Sequence, residues 1–172
     1  DATPKVLAER PMKVSRGAAW VDIDNDGYLD LYVAGYEIWQ KAVYADALFR
    51  NVGGKDFVAH ALPKARNMSA RGVSAADFDS DGDVDVYVSN YRLFPNRLWR
   101  NDGGGKFTEI ATPSGTAGDG GLGAWGHTIG SAWGDLDNDG YLDLFVGNFS
   151  HPPAYQDRPK FLRNRGPDGK FA

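Results

Sequence analysis

One acidic loop occurs three times along this chain, and its spacing limits what the chain can fold into. The segments GAAWVDIDNDGYLDLYVAGY (17–36), GVSAADFDSDGDVDVYVSNY (72–91) and GSAWGDLDNDGYLDLFVGNF (130–149) align end to end. Their first aspartates, Asp22, Asp77 and Asp135, lie 55 and 58 positions apart. A second element follows each: ALFRNVGGKDF (47–57), RLWRNDGGGKF (97–107) and KFLRNRGPDGKF (160–171). A near-constant period of this length exceeds that of helical repeats and suits propeller blades.

Each unit reads as strands. The short apolar stretch before each acidic run, such as Gly-Ala-Ala-Trp-Val, is bounded by turn residues. After the run, Leu29, Leu31 and Val33 alternate with Tyr28, Asp30 and Tyr32. The same alternation recurs at Val84, Val86 and Val88 and at Leu142, Leu144 and Val146, with Tyr87 and Phe145 on the opposite face. Both faces turn apolar toward the strand end, as in a sheet packed on both sides. The Asn51-Val52-Gly53-Gly54 stretch and its two counterparts are glycine-rich hairpin signals. Four strands per unit make one blade, so the expectation is an all-β chain of three four-stranded propeller blades. No window carries a helical period; the expected short helix or irregular loop covers residues 37–47.

The acidic runs carry the chemistry. All three follow D-x-D-x-D-G-x-x-D. Positions 1, 3 and 5 put three carboxylates around one tight loop, and Gly at position 6 permits the sharp turn. A backbone carbonyl at position 7 and a carboxylate at position 9 complete an oxygen shell of the kind that calcium takes; magnesium suits such all-protein cages less well. Four crowded carboxylates repel one another unless a cation neutralises them. The alternative is a set of solvated Asp/Gly-rich turns, a reading that three aligned copies disfavour. An EF-hand is rejected because its loop ends in a glutamate at position 12 between helices. Here position 12 is Val33, Val88 and Val146, each inside a strand pattern.

Charge follows the same pattern. The 172 residues include 20 Asp and only 3 Glu, for a net charge of −4. Thirteen of the Asp lie in the three loops, and the remaining 10 acids face 19 Lys plus Arg. Those basic residues form no run, which gives nucleic-acid binding little support. Cysteine is absent, excluding disulfides and zinc-thiolate sites. No stretch reaches the ~18–20 apolar residues of a membrane helix. The opening DATPKVLAERP has neither an initiator Met nor an apolar signal core, so a processed or excised chain is expected.

Together, D-x-D-x-D-G-x-x-D before an apolar strand and L-[FWY]-R-N-x-G-x-[GK]-x-F resemble the FG-GAP/VCBS repeat family, the blades of integrin-α-like β-propellers. The resemblance covers essentially the whole chain. It implies one calcium ion per repeat, three in all. The implied ligands are Asp22, Asp24, Asp26, the Tyr28 carbonyl and Asp30 in the first repeat. In the second they are Asp77, Asp79, Asp81, the Asp83 carbonyl and Asp85, and in the third Asp135, Asp137, Asp139, the Tyr141 carbonyl and Asp143. Asp83 departs from the pattern by adding a carboxylate, whose side chain is expected to point to solvent. The family also implies a secreted, periplasmic or cell-surface setting and binding of proteins or glycans.

Closed propellers need about four to eight blades, so three imply a partial propeller within a larger ring, or copies that assemble. The expected divisions are 1–16 as the outer strand of a preceding blade, then repeats at 17–71, 72–129 and 130–172, the last incomplete. The partner is then the remaining blades of the same protein, a different protein, or a glycan. The segment 113–130 is longer than the repeat needs. There, Trp125 and His127 are candidates for stacking on and hydrogen-bonding a sugar or partner, against the plain reading of a glycine-rich loop with a packing Trp. The aromatic connectors 36–44, 91–94 and 149–155 form a second candidate surface. Arg50, Arg100 and Arg163 recur in register and are expected to pair with a neighbouring loop. No protease or hydrolase motif is present. The leading function is a calcium-stabilised, extracytoplasmic binding or scaffold module. The competing class is part of a propeller-type polysaccharide lyase or other carbohydrate-active enzyme, with His127 in its site.

Overall fold

The alternating segments form antiparallel sheets in the computed structural model, which describes residues 15–118, 125–150, 157–166 and 168–172. The first sheet runs β1 (Ser15–Val21), β2 (Asp30–Gly35), β5 (Ala47–Val52) and β6 (Asp56–His60), in that spatial order. The second repeats it with β7 (Ala70–Ala76), β8 (Asp85–Asn90), β9 (Arg97–Asn101) and β10 (Phe107–Glu109). In the third, β11 (Thr128–Gly134), β12 (Asp143–Asn148) and β13 (Lys160–Leu162) pair in the same way. An isolated bridge between Asn164 and Phe171 stands where a fourth strand would begin. These are successive blades of a partial propeller.

Residues 37–47 are not helical. They include a small hairpin, β3 (Glu37–Ile38) with β4 (Ala42–Val43), turned through Gln40 at φ 57°. Helix appears instead at α1 (Ala111–Ser114), one turn closed by Gly115 at φ 85°. Four residues are too few to show a helical period in the sequence.

Sheet alternation decides how the blades stack. Tyr32, Ala34 and Leu48 of the first blade meet Val86, Val88 and Trp99 of the second. The other face of β8 and β9 presents Tyr87 and Leu98 to Leu144, Val146 and, at the margin, Trp133 of the third. All six residues of the middle strand β8 are consequently buried. A polar chain also ties the first two blades. The Trp99 indole N–H donates to the Tyr32 hydroxyl (3.0 Å), which donates to Asp46 (2.8 Å), and Arg97 donates to the same carboxylate oxygen (2.8 Å).

Glycine lets the innermost strands approach each other. A Cβ on Gly17 would lie 2.8 Å from the Arg71 carbonyl oxygen, and one on Gly72 2.7 Å from that of Ile129. Gly130 holds the same place in the third blade, and a Cβ there would meet nothing within 4 Å. Beside it lies an open apolar hollow of about 430 Å³ lined by Ile129, Ala132, Phe145, Gly147 and Phe149, among others.

Candidate metal centres and the surfaces around them

Each acidic loop is the β1–β2 type turn of its blade, and its backbone is fixed by its own aspartates. Position 4 (Asn25, Ser80, Asn138) sits at φ 56°, 61° and 58°, and the glycine at position 6 at φ 85°, 93° and 91°. Asn tolerates the left-handed region and glycine adopts it freely. Asp22 accepts the N–H groups of Asp26 (3.2 Å) and Gly27 (2.9 Å), while Asp26 accepts that of Tyr28 (2.9 Å). The second and third loops repeat these bonds from Asp77 and Asp81, and from Asp135 and Asp139.

The last aspartate closes the blade. Asp30 accepts the N–H of Ile23 at 2.9 Å and of Asn51 at 2.6 Å, so one carboxylate joins the loop to the hairpin. Asp85 and Asp143 do the same with Phe78 and Asn101 and with Leu136 and Asn164. All three are buried.

This geometry gathers positions 1, 3 and 9. In Asp22, Asp24 and Asp30, in Asp77, Asp79 and Asp85, and in Asp135, Asp137 and Asp143, one oxygen from each carboxylate lies within 4.8 Å of the others. Three clusters of this kind could hold metal ions. Asp24 Oδ1 and Asp79 Oδ1 are buried with no hydrogen-bond partner, and a hard cation satisfies such oxygens. The residues present therefore fit a divalent cation. Position 5 has one oxygen committed to the turn; Asp26, Asp81 and Asp139 stand outside these three-carboxylate groups.

Electrostatics agree. Burial raises the Asp30 carboxyl above its ordinary value, as it does that of Asp79, where Asp81 and Asp77 add repulsion. Burial pushes Asp85 from an ordinary 3.8 up to about 8, against the pull of its two backbone hydrogen bonds. In the cation-free chain the folded state thus keeps a proton that the unfolded state has lost. Stability should fall as pH rises from about 4 to about 8, by up to ~1.4 kcal/mol per unit. A bound cation replaces that proton and removes the slope. Urea unfolding of the chelated protein near pH 5 and pH 7.5 tests this; equal stabilities would refute it.

The in-register arginines divide. Arg50 pairs with Asp24 at 3.1 Å and Arg163 pairs with Asp137, each in the loop of its own blade. Arg100 pairs instead with Asp102 at 2.7 Å. That aspartate stands where the other copies have Val52 and Arg165, so Asp79 lacks such a partner. The partly exposed Asp83 side chain accepts the Asn25 side-chain N–H of the first loop at 2.9 Å, at the surface.

A link between blades comes from the hairpin asparagines. The Asn101 side chain donates to the Ile23 carbonyl of the first loop at 2.9 Å, and that of Asn164 to Phe78 of the second at 2.8 Å. Each also donates within its own blade, to Val84 (3.4 Å) and Leu142 (3.2 Å). The repeated R-N pair was visible in the sequence, but not its target 78 and 86 residues away.

Trp125 packs at the margin of the core between the second and third blades. The His127 backbone N–H donates to Asp157 (2.9 Å), and its ring lies edge-on to Tyr91 with centroids 4.7 Å apart. Residues 119–124 and 151–156, part of the long segment and of the third connector, lie outside the described residues.

With the loops and blades in place, comparison with known proteins is decisive on one point. The sequence model of the FG-GAP-like repeat matches residues 22–88 and 89–146. The chain belongs to the FG-GAP-like repeat family. Cartilage acidic protein 1 of Mus musculus is 28% identical over 145 residues, 80% of this chain and 22% of that protein. Its Xenopus tropicalis counterpart is 26% identical over the same length and shares. This FG-GAP-like chain thus spans about a fifth of the length of the curated relatives it matches. Among its described residues no helix is long and apolar enough to cross a membrane.

Proposed function

We propose that this chain is a calcium-stabilised binding or scaffold module that works outside the cytoplasm. One observation carries the reading: three matching aspartate clusters, two of them with a buried carboxylate oxygen lacking any partner. In each repeat the carboxylates at positions 1, 3, 5 and 9 and the carbonyl at position 7 hold one calcium. The ion supplies the positive charge that lets the acids stay ionised at close quarters. It also ties the two strands that the loop joins.

The rest of the reading follows from affinity and shape. Calcium loops of extracellular modules bind at about 10⁻⁴–10⁻³ M, which outside fluids supply and the cytosol does not. The open side of the third blade, at Gly130 and the Ile129–Phe149 hollow, repeats the place where the second blade receives the third. A further blade fits there, with repeats at 17–71, 72–129 and 130–172 as part of a larger ring. A protein or glycan would then bind on the face away from the loops.

Equilibrium dialysis against calcium held well above its dissociation constant should return about three bound equivalents per chain, as one site per cluster requires. Zero or one would overturn the reading.

A further inference from the structure

The ends of the blades opposite the acidic loops carry arginines laid on aromatic rings. Arg16 opens β1 and sits 5.3 Å from the centre of the Tyr36 ring, just past β2. Arg71 repeats it at the start of β7, between Tyr36 (5.2 Å) and Tyr91 (4.3 Å), and donates to the Tyr36 hydroxyl at 2.9 Å. Arg92 lies 3.7 Å from the Trp39 ring centre, held there by Glu37 at 2.6 Å. The turn that delivers it is unusual. Arg92 and Leu93 are consecutive left-handed residues at φ 62° and 61°, a conformation that non-glycine residues hold only when their surroundings enforce it.

Glu37 compensates Arg92, but not the other two charges. Among the described residues Arg16 and Arg71 have no carboxylate within ion-pairing distance, and Arg71 Nε is buried with no hydrogen-bond partner. Trp39 is 58% exposed and is linked to Arg71 through Arg92 and the Tyr91 ring. Guanidinium groups held on ring faces are pre-organised forks for a planar carboxylate or sulfate. The exposed indole offers an apolar face for the C–H side of a sugar ring. We infer that this surface binds an acidic glycan, with Arg16 and Arg71 taking the carboxylate of a hexuronate unit and Trp39 stacking on a ring. The inference rests on the binding-module reading above and names the ligand class.

Calcium-loaded protein titrated calorimetrically with a hexuronate oligosaccharide tests it, with a neutral glucan oligosaccharide and a poly-glutamate peptide as comparisons. The uronate should bind, and the other two should bind at least about tenfold more weakly. Arg16→Gln and Trp39→Ala, both at exposed positions remote from the metal loops, should each weaken uronate binding about tenfold or more while leaving the calcium count and melting temperature unchanged. Arg71→Lys, which keeps the charge and loses the fork, should weaken it as well. No uronate binding, or uronate binding indifferent to all three variants, would overturn the inference. Equal binding of poly-glutamate or of neutral glucan, lost in Trp39→Ala, would overturn the acidic-glycan assignment while the module reading stands. The calcium count fails or holds independently of all these outcomes.

Discussion

Stripping calcium from this chain should lower its melting temperature by about 15–30 °C, and re-adding it should restore the original value. The size follows from mass action. A ligand at a hundred times its dissociation constant, which is about 10 mM calcium for sites of about 10⁻⁴ M, stabilises the folded state by about 2.7 kcal/mol per site. Three sites sum to about 8 kcal/mol, and a chain of this length shifts by about 2–4 °C per kcal/mol. No disulfide exists to compensate. Replacing Asp79 by Ala should reproduce part of the drop and leave two equivalents bound. Calorimetric melts with and without chelator measure both. A melt insensitive to chelation would reduce the three loops to solvated turns.

A second large effect separates two glycines with the same place in the repeat. Gly72→Val should destabilise the chain by about 3 kcal/mol or more, whereas Gly130→Val should stay within about 0.5 kcal/mol. Neither substitution is strained by its own backbone, since neither glycine has a positive φ in the left-handed range. The difference is the neighbour. The new Cβ at 72 meets the Ile129 carbonyl oxygen at 2.7 Å and the Gly130 Cα at 2.9 Å, backbone atoms that cannot turn aside as a side chain would. The new Cβ at 130 enters open space. Urea denaturation of the two variants decides the matter, and equal losses would show that the inner strands do not pack as described.

The acidic loops were legible because everything that builds them is local. Carboxylates at positions 1, 3, 5 and 9, a left-handed Asn or Ser and a glycine lie within nine residues, so spacing alone encodes the turn. Blade architecture was legible for a related reason: the period and the strand alternation repeat. Alternation does not say which face lies deeper. Tyr32 and Ala34 are fully buried while Leu31 and Val33 are only partly so, because the first pair faces the second blade. The hairpin at β3–β4 and the one-turn helix at α1 escaped notice, since two-residue strands and four-residue helices carry no period. The partner of the Asp83 side chain was not legible because that residue, Asn25, lies 58 residues away in another loop. Arg100 behaved unlike Arg50 and Arg163 on account of one neighbour, Asp102, that the other copies lack.

The asparagine link has a consequence for how such an array varies in length. Asn101 and Asn164 each hold the carbonyl of the second residue of the acidic run in the preceding blade, and each precedes the glycines of its own hairpin. The third hairpin carries one residue more than the second, yet its asparagine makes the same contact, because the extra residue comes after it. The segment before the third repeat is also longer than its counterpart, and the contact survives that too. Spacing from blade to blade is therefore measured between points that insertions bypass. The connectors can drift in length and sequence while the pitch of the array stays indexed to its asparagines, so that a duplicated unit would arrive already in register.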